Sequence, residues 1–384
     1  MNPKVLGIPG SLIRRIASAK TPASIDLGLG EPTLAPNREH FEYAMARCAE
    51  SGVKYTPNAG DPALREAIAR YYHYPDLHRM NNVCVTTGSQ EAMYVTLKTL
   101  LDPQCDELLV VEPAFPAYVK MAALEGVACR TVAMRAEDGF AFDAERIAAA
   151  IGDATRAVVI CSPCNPTGRV LSRAQAELLV AAVQRQKREI WLIHDEIYRE
   201  QTFVEDAAYL AELYPNTIVT NSVSKSNALT GLRLGWILAP ERFVEHAIKA
   251  HAWVTSCADT FAQYAALHVF TQLEGVREHA PWYRDQRREV LLALRESAMP
   301  FVTPEGSFYA CVRLPDGMPS LETAHELIAR CDVLAIPGIA FGPIMEGWLR
   351  LSWVAPAAQV REGVARIARY CTASGRSSAG AHSA

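Results

Sequence analysis

The sequence predicts an α/β fold: a large domain around a mixed, mostly parallel sheet, followed by a smaller α+β domain. Two observations predict it. Between residues 83 and 238, short apolar runs alternate with longer helical stretches, the pattern of strand–helix–strand units. Near Leu273–Glu278 the composition shifts to a charged helical stretch followed by short apolar runs, the mark of a second domain.

In chain order, residues 1–45 are too irregular to fold alone and are expected to pack against the smaller domain. Residues 46–275 form the expected large domain. Its strands are Val83–Thr86, Glu107–Val111, Ala157–Ile160, Ile190–Ile193, Thr217–Thr220 and Gly235–Leu238. Helices are expected at Ser89–Leu101, where Met93, Leu97, Leu100 and Leu101 share a face, and at Ser172–Lys187. Residues 276–371 form the smaller domain, with helices at Arg284–Ser297 and Ser320–Cys331 and apolar runs at Phe301–Leu314 and around Leu334 and Leu349. From Thr372 to Ala384 the chain is mostly Ser, Gly and Ala, with little to bury, and reads as a frayed tail.

The 384 residues, half of them hydrophobic, suffice for a large core. Charge is nearly balanced, 38 basic against 42 acidic residues, without a polybasic block, so neither nucleic acid nor an anionic membrane is an expected partner. No apolar run approaches the roughly 20 residues that cross a bilayer. Pro3, Pro9, Arg14 and Arg15 interrupt the start in a way a secretory signal does not tolerate. The 10 cysteines are scattered singly, as in a reduced, cytoplasmic protein. Cys161-x-x-Cys164 lacks a second pair, so no metal site is expected.

Polar residues of special geometry directly follow the predicted strands: Thr87-Gly-Ser-Gln90, Glu112-Pro-Ala-Phe115, Cys164-Asn-Pro-Thr-Gly168, His194-Asp-Glu-Ile-Tyr198 and Ser222-Val-Ser-Lys225. The carboxyl ends of parallel strands share one edge, so these five segments converge on one cleft. Lys225 there is placed to form a Schiff base, and Arg233, eight residues on, to hold a phosphate. That pairing suits pyridoxal phosphate, a cofactor held both covalently and electrostatically. Gly88 allows a tight turn before a helix whose N-terminal N–H groups attract an anion, with Ser222 and Ser224 as further donors. Asp195 emerges from an apolar strand and needs a cation; a protonated pyridine nitrogen and an arginine are the two readings. Tyr198 and Asn165 could hydrogen-bond the cofactor's phenolic oxygen, and Phe115 could stack on its ring; the other readings are a plain turn at Asn165-Pro-Thr-Gly168 and a core Phe. Arg350 interrupts an apolar strand and reads as a fork for a substrate carboxylate, against a structural ion pair.

Together these residues resemble the class I/II aminotransferases of PLP fold type I. The resemblance runs from about Asp26 to Tyr370 through Gly28-Leu-Gly-Glu-Pro32, Lys54-Tyr-Thr-Pro-Asn-Ala-Gly60, Thr87–Gln90, Asn165–Gly168, Asp195–Tyr198, Ser222–Arg233, Pro337-Gly338 and Arg350. It implies that Lys225 is the Schiff-base and proton-transfer residue, Asp195 the partner of the ring nitrogen, and Asn165 and Tyr198 the phenolate ligands. Phe115 is then the stacking ring, and Gly88, Ser89, Gln90, Ser222 and Arg233 the phosphate cup. Tyr55 matches a tyrosine that reaches a phosphate across a homodimer interface. Gly30, Asn165 and Arg350 match the substrate site, with Pro337-Gly338 lining it.

The chain departs from the family's pattern at Asn227 and Leu232, where aromatic residues are common, at Cys164 and at His194. The implied activity moves an amino group from an L-amino acid to a 2-oxo acid by a ping-pong route. The alternatives are a β-eliminating carbon–sulfur lyase or other carbanion chemistry on an amino acid, and a non-catalytic sensor domain. No secure second arginine for a dicarboxylate substrate is evident.

Overall fold

The computed structural model describes residues 1–272 and 274–380, with side chains through Ser374. Its centre is a seven-stranded sheet. After the short N-terminal strand β1 (Ile25–Asp26), the chain forms β2 (Val83–Thr86), β3 (Glu107–Glu112), β4 (Ala128–Ala133) and β5 (Thr155–Cys161). Strands β6 (Trp191–Asp195), β7 (Thr217–Ser222) and β8 (Gly235–Leu238) complete it. The spatial order is β2-β8-β7-β6-β5-β3-β4. Only β8 runs antiparallel to its neighbours, so the sheet is mixed and mostly parallel.

The continuous apolar runs arise because helices cover both faces. Leu108, Val110, Ala157 and Val159 pack with Met93 and Leu97 of the helix Ser89–Leu100. The intervening Leu109, Val111, Val158 and Ile160 pack with Leu179 and Val183 of the helix Arg173–Gln184. Toward β2 and β8, Val85 and Trp236 join Leu64 and Ile68 of the helix Pro62–Tyr72.

β4 was not among the expected strands. It lies at the sheet edge, mostly exposed, and its sequence Ala-Cys-Arg-Thr-Val-Ala lacks the apolar density of the buried strands. Arg130 there pairs with Glu107 on β3 through two hydrogen bonds.

A second, four-stranded sheet contains β9 (Phe301–Val302), β10 (Tyr309–Arg313), β12 (Ile336–Pro337) and β13 (Trp348–Ser352), with β11 (Val333–Leu334) preceding β12. Its order is β12-β13-β10-β9, all antiparallel. Beside it, β1 pairs in parallel with β11, which ties the N-terminal segment to this region. The helices Ala280–Glu296 and Ser320–Cys331 flank it. The last helix, Ala357–Gly380, keeps a helical backbone through Thr372–Gly380, where the composition suggested fraying; residues 381–384 of that expected tail lie outside the described residues. No helix among the described residues is long and apolar enough to cross a membrane.

Candidate active site

The carboxyl ends of β2, β3, β5, β6 and β7 meet at one sheet edge, where antiparallel β8 begins. The turn from β7 to β8 carries Lys225 and Arg233. Ser222 caps the four-residue helix Val223–Ser226, its hydroxyl accepting from the Ser224 N–H at 3.1 Å. Lys225 Nζ donates to the Gly30 carbonyl at 2.6 Å, which joins the N-terminal segment to the site. Burial pulls the Lys225 ammonium down to about 8; Glu31 opposes this, while Arg350, Arg233 and Arg14 add to it.

Asp195 ends β6 and is buried. One carboxylate oxygen accepts from the Tyr118 hydroxyl at 2.6 Å and the other from the Ile197 N–H at 3.2 Å. Burial pushes its carboxyl upward, against the pull of these two donors. Among the described residues it has no lysine or arginine partner within ion-pair distance. The arginine expected as one of two readings is therefore not there. His194, the residue before it, instead meets the buried Glu196 at 3.1 Å, and Arg199 meets the same carboxylate at 2.8 Å.

Arg350 lies in the middle of β13, between Cys311 of β10 and Ile336 of β12. Its guanidinium is buried and sits 4.2 Å from the Tyr309 ring centre and 4.8 Å from that of Phe341. Nη1 donates to Asn165 Oδ1 at 3.0 Å, Nη2 donates to the Gly28 carbonyl, and Nε has no partner among the described residues. Neither acceptor is a carboxylate. An uncompensated buried charge costs about 3–5 kcal/mol. A buried guanidinium without an anion and a buried carboxylate without a cation, together with a lysine of lowered proton affinity, fit a ligand carrying both opposite charges.

The anion cradle is equally specific. The helix Ser89–Leu100 starts at Gly88 with no side-chain cap, so its first N–H groups point outward unpaired by a capping oxygen. Gly88 has φ +84°, and a Cβ there would lie 2.6 Å from Arg233 Nη2, so the guanidinium sits directly over the helix start. Thr87, Gln90 and Arg233 line one open pocket of about 490 Å³. At Gly235, a Cβ would approach Gly88 C and Ser89 N to 2.5 Å each, so the side-chain-free start of β8 lets this helix end approach closely.

The structure thus places Lys225, Asp195, Asn165, Ser222, Ser224, Gly88, Ser89, Gln90 and Arg233 at one sheet edge, with Gly30 and Arg350 joined to it by the hydrogen bonds to Lys225 and Asn165. Tyr198 donates its hydroxyl to that of Tyr309 at 3.2 Å. Phe115 meets Tyr118 edge to face at 6.1 Å between ring centres. Tyr55 stands apart: its side chain is 89% exposed, pointing away from the body of its own chain. Sequence reasoning missed Tyr118. Tyr118 lies three residues beyond Phe115, in the first turn of the helix Ala117–Glu125, and that nearness was the available signal.

Comparison with known proteins agrees with this geometry. The sequence model of the family described as aminotransferase class I and II matches residues 23–367. An aspartate aminotransferase of Pyrococcus horikoshii is 32% identical over 378 residues, covering 95% of this chain and 95% of its own. An aromatic-amino-acid aminotransferase of Thermococcus litoralis is 31% identical over 357 residues, covering 89% and 90%. The crystal structure of an aspartate aminotransferase from Thermotoga maritima superposes with a TM-score of 0.89 at 27% identity, covering 97% of this chain and 100% of its own. The large mixed sheet with its smaller antiparallel companion is PLP fold type I, and the chain belongs to the aminotransferase class I and II family.

Proposed function

We propose that this aminotransferase works with pyridoxal phosphate held at the sheet edge, moving an amino group from an L-amino acid to a 2-oxo acid. The observation that carries the reading is the trio of Lys225, unpaired Asp195 and unpaired Arg350. When bound, the cofactor supplies an aldehyde for an amine to capture and a ring that takes up electron density from a substrate α-carbon. Every other task falls to the chain. Asp195, its carboxylate held in place by Tyr118 and Ile197, would pair with the ring nitrogen and favour its protonated form. Asn165 and Tyr198 would hydrogen-bond the phenolic oxygen, and Phe115 would cover the ring face. The helix start at Gly88–Gln90, with Ser222, Ser224 and Arg233, binds the phosphate. Arg350 grips the α-carboxylate of the substrate through its fork, with Gly30 and Asn165 beside it. Lys225 would accept the substrate's α-proton on Nζ and hold it for return; a lowered proton affinity suits that double duty near neutral pH.

The division into residues 1–45, 46–275, 276–371 and a tail from 372 belongs to the same reading, as does a homodimer in which Tyr55 of each chain serves its partner's phosphate site. Ten free thiols are in keeping with a reducing cytoplasm. Lys225→Ala tests the proposal. Turnover is expected to fall at least about 1,000-fold, with loss of the visible absorption of bound cofactor. A Lys225→Ala enzyme with wild-type turnover would refute it.

A further inference from the structure

Lys225 lies in the last turn of a helix only four residues long. Carbonyl groups at such an end lack intrahelical donors. The Lys225 carbonyl instead accepts two side-chain hydrogen bonds, from Gln201 Nε2 at 3.1 Å and from the Tyr283 hydroxyl at 3.1 Å. The donors come from distant parts of the fold. Gln201 closes the 3₁₀ turn Arg199–Gln201, just past Asp195 and Tyr198. Tyr283 is on the helix Ala280–Glu296 beside the smaller sheet.

Both donors are themselves fixed. Tyr283 is fully buried and stacks on Phe308 at 5.7 Å between ring centres, and Phe308 meets Tyr198 edge-on at 5.2 Å. Gln201 is 1% exposed, and its Oε1 has no hydrogen-bond partner among the described residues. Turning that amide over would set Oε1 against the Lys225 carbonyl, oxygen to oxygen. The bond to Lys225 therefore decides the orientation of the amide and leaves its oxygen orphaned, an unfavourable arrangement for a buried group.

We propose that Gln201 and Tyr283 are positioning residues that clamp the main chain of Lys225 from two sides, fixing the root from which its side chain reaches into the site. The inference rests on the reading of Lys225 as the capturing and proton-transfer amine. It adds that the reach of Nζ is set by these two donors rather than by the short helix alone. With the clamp removed, the root shifts, water gains access to Nζ, and the amine regains the proton affinity of an ordinary lysine. The charged groups acting on Nζ, namely Glu31, Arg350, Arg233 and Arg14, are untouched by the substitutions, so a change reports the root.

The test uses Gln201→Leu, Tyr283→Phe and the double variant; Tyr283→Phe keeps the ring stack on Phe308. The cofactor-free chain is labelled with acetic anhydride across a pH series, and the extent at Lys225 is read by peptide mass spectrometry. The wild-type midpoint is expected near 8. The double variant is expected to rise by about one unit, and Tyr283→Phe alone to move in the same direction. Turnover of the holoenzyme should fall about tenfold, with KM for the amino donor changing less. A folded double variant whose Lys225 midpoint matches wild type overturns the clamp. Failure of the parent reading would appear elsewhere, as activity in Lys225→Ala.

Discussion

Asp195 shows how function and stability oppose each other at a single residue. A buried carboxylate without a cationic partner is a strain on the cofactor-free chain. Because burial raises its folded-state pKa above the unfolded value, the penalty is absent below the unfolded pKa, grows as pH rises from that value to the folded one, and is complete above it. Asp195→Asn is therefore expected to stabilise the cofactor-free protein at pH 7 by about 1–2 kcal/mol, seen as a higher Tm, and the gain should vanish in acid. The same variant should lose about 100-fold or more in turnover. The sequence disclosed Asp195 and Arg350 because each is a charge set at the end or in the middle of an apolar strand, where burial demands a partner, and Lys225 because it follows shortly after such a strand with Arg233 eight residues on. It did not disclose Tyr118, Gln201 or Tyr283. A tyrosine or glutamine in a helical stretch carries no such contradiction, and only the fold reveals which atom its polar end meets.

At the scale of elements, the cradle depends on how closely β8 approaches the helix Ser89–Leu100. Gly235 permits it, flanked by Ser222 on β7 and Thr86 on β2. Gly235→Ala places a methyl 2.5 Å from Gly88 C and Ser89 N and 2.7 Å from the Asn221 carbonyl, all backbone atoms unable to yield cheaply. The expected result is a loss of about 2–4 kcal/mol in stability and at least tenfold weaker cofactor binding, measured by denaturant unfolding and by equilibrium dialysis. All six strands predicted from apolar runs exist, because burial on both faces writes them as unbroken hydrophobic segments. The reversed direction of β8 was not legible: a strand's composition is silent about its polarity when both faces are covered. Edge strand β4 escaped for the converse reason, since exposure permits a polar sequence.

For the whole molecule, one chain leaves its most exposed aromatic groups together. The Tyr55 segment is tied to the segment ending the helix Glu241–Val254, through Asn58 to the Ser256 carbonyl at 2.7 Å and Thr260 to the Lys54 carbonyl at 2.6 Å. Tyr55 and Trp253 are 89% and 93% exposed there. In the proposed dimer Tyr55 serves the neighbouring site. Tyr55→Ala alone should lower turnover about tenfold. Coexpressed with Lys225→Ala, hybrids would hold one intact site of two, and the mixture should show roughly a quarter of wild-type turnover. Activity no higher than the average of the two separate variants would place Tyr55 in its own chain's site or in none.

All of these arguments converge on the amine of Lys225, and reductive trapping tests it most directly. The holoenzyme is treated with borohydride, digested and mapped by mass spectrometry. The account predicts a stable phosphopyridoxyl adduct on the peptide containing Lys225 and on no other lysine. An adduct on a different lysine, or a cofactor that dialyses away unattached, would contradict it.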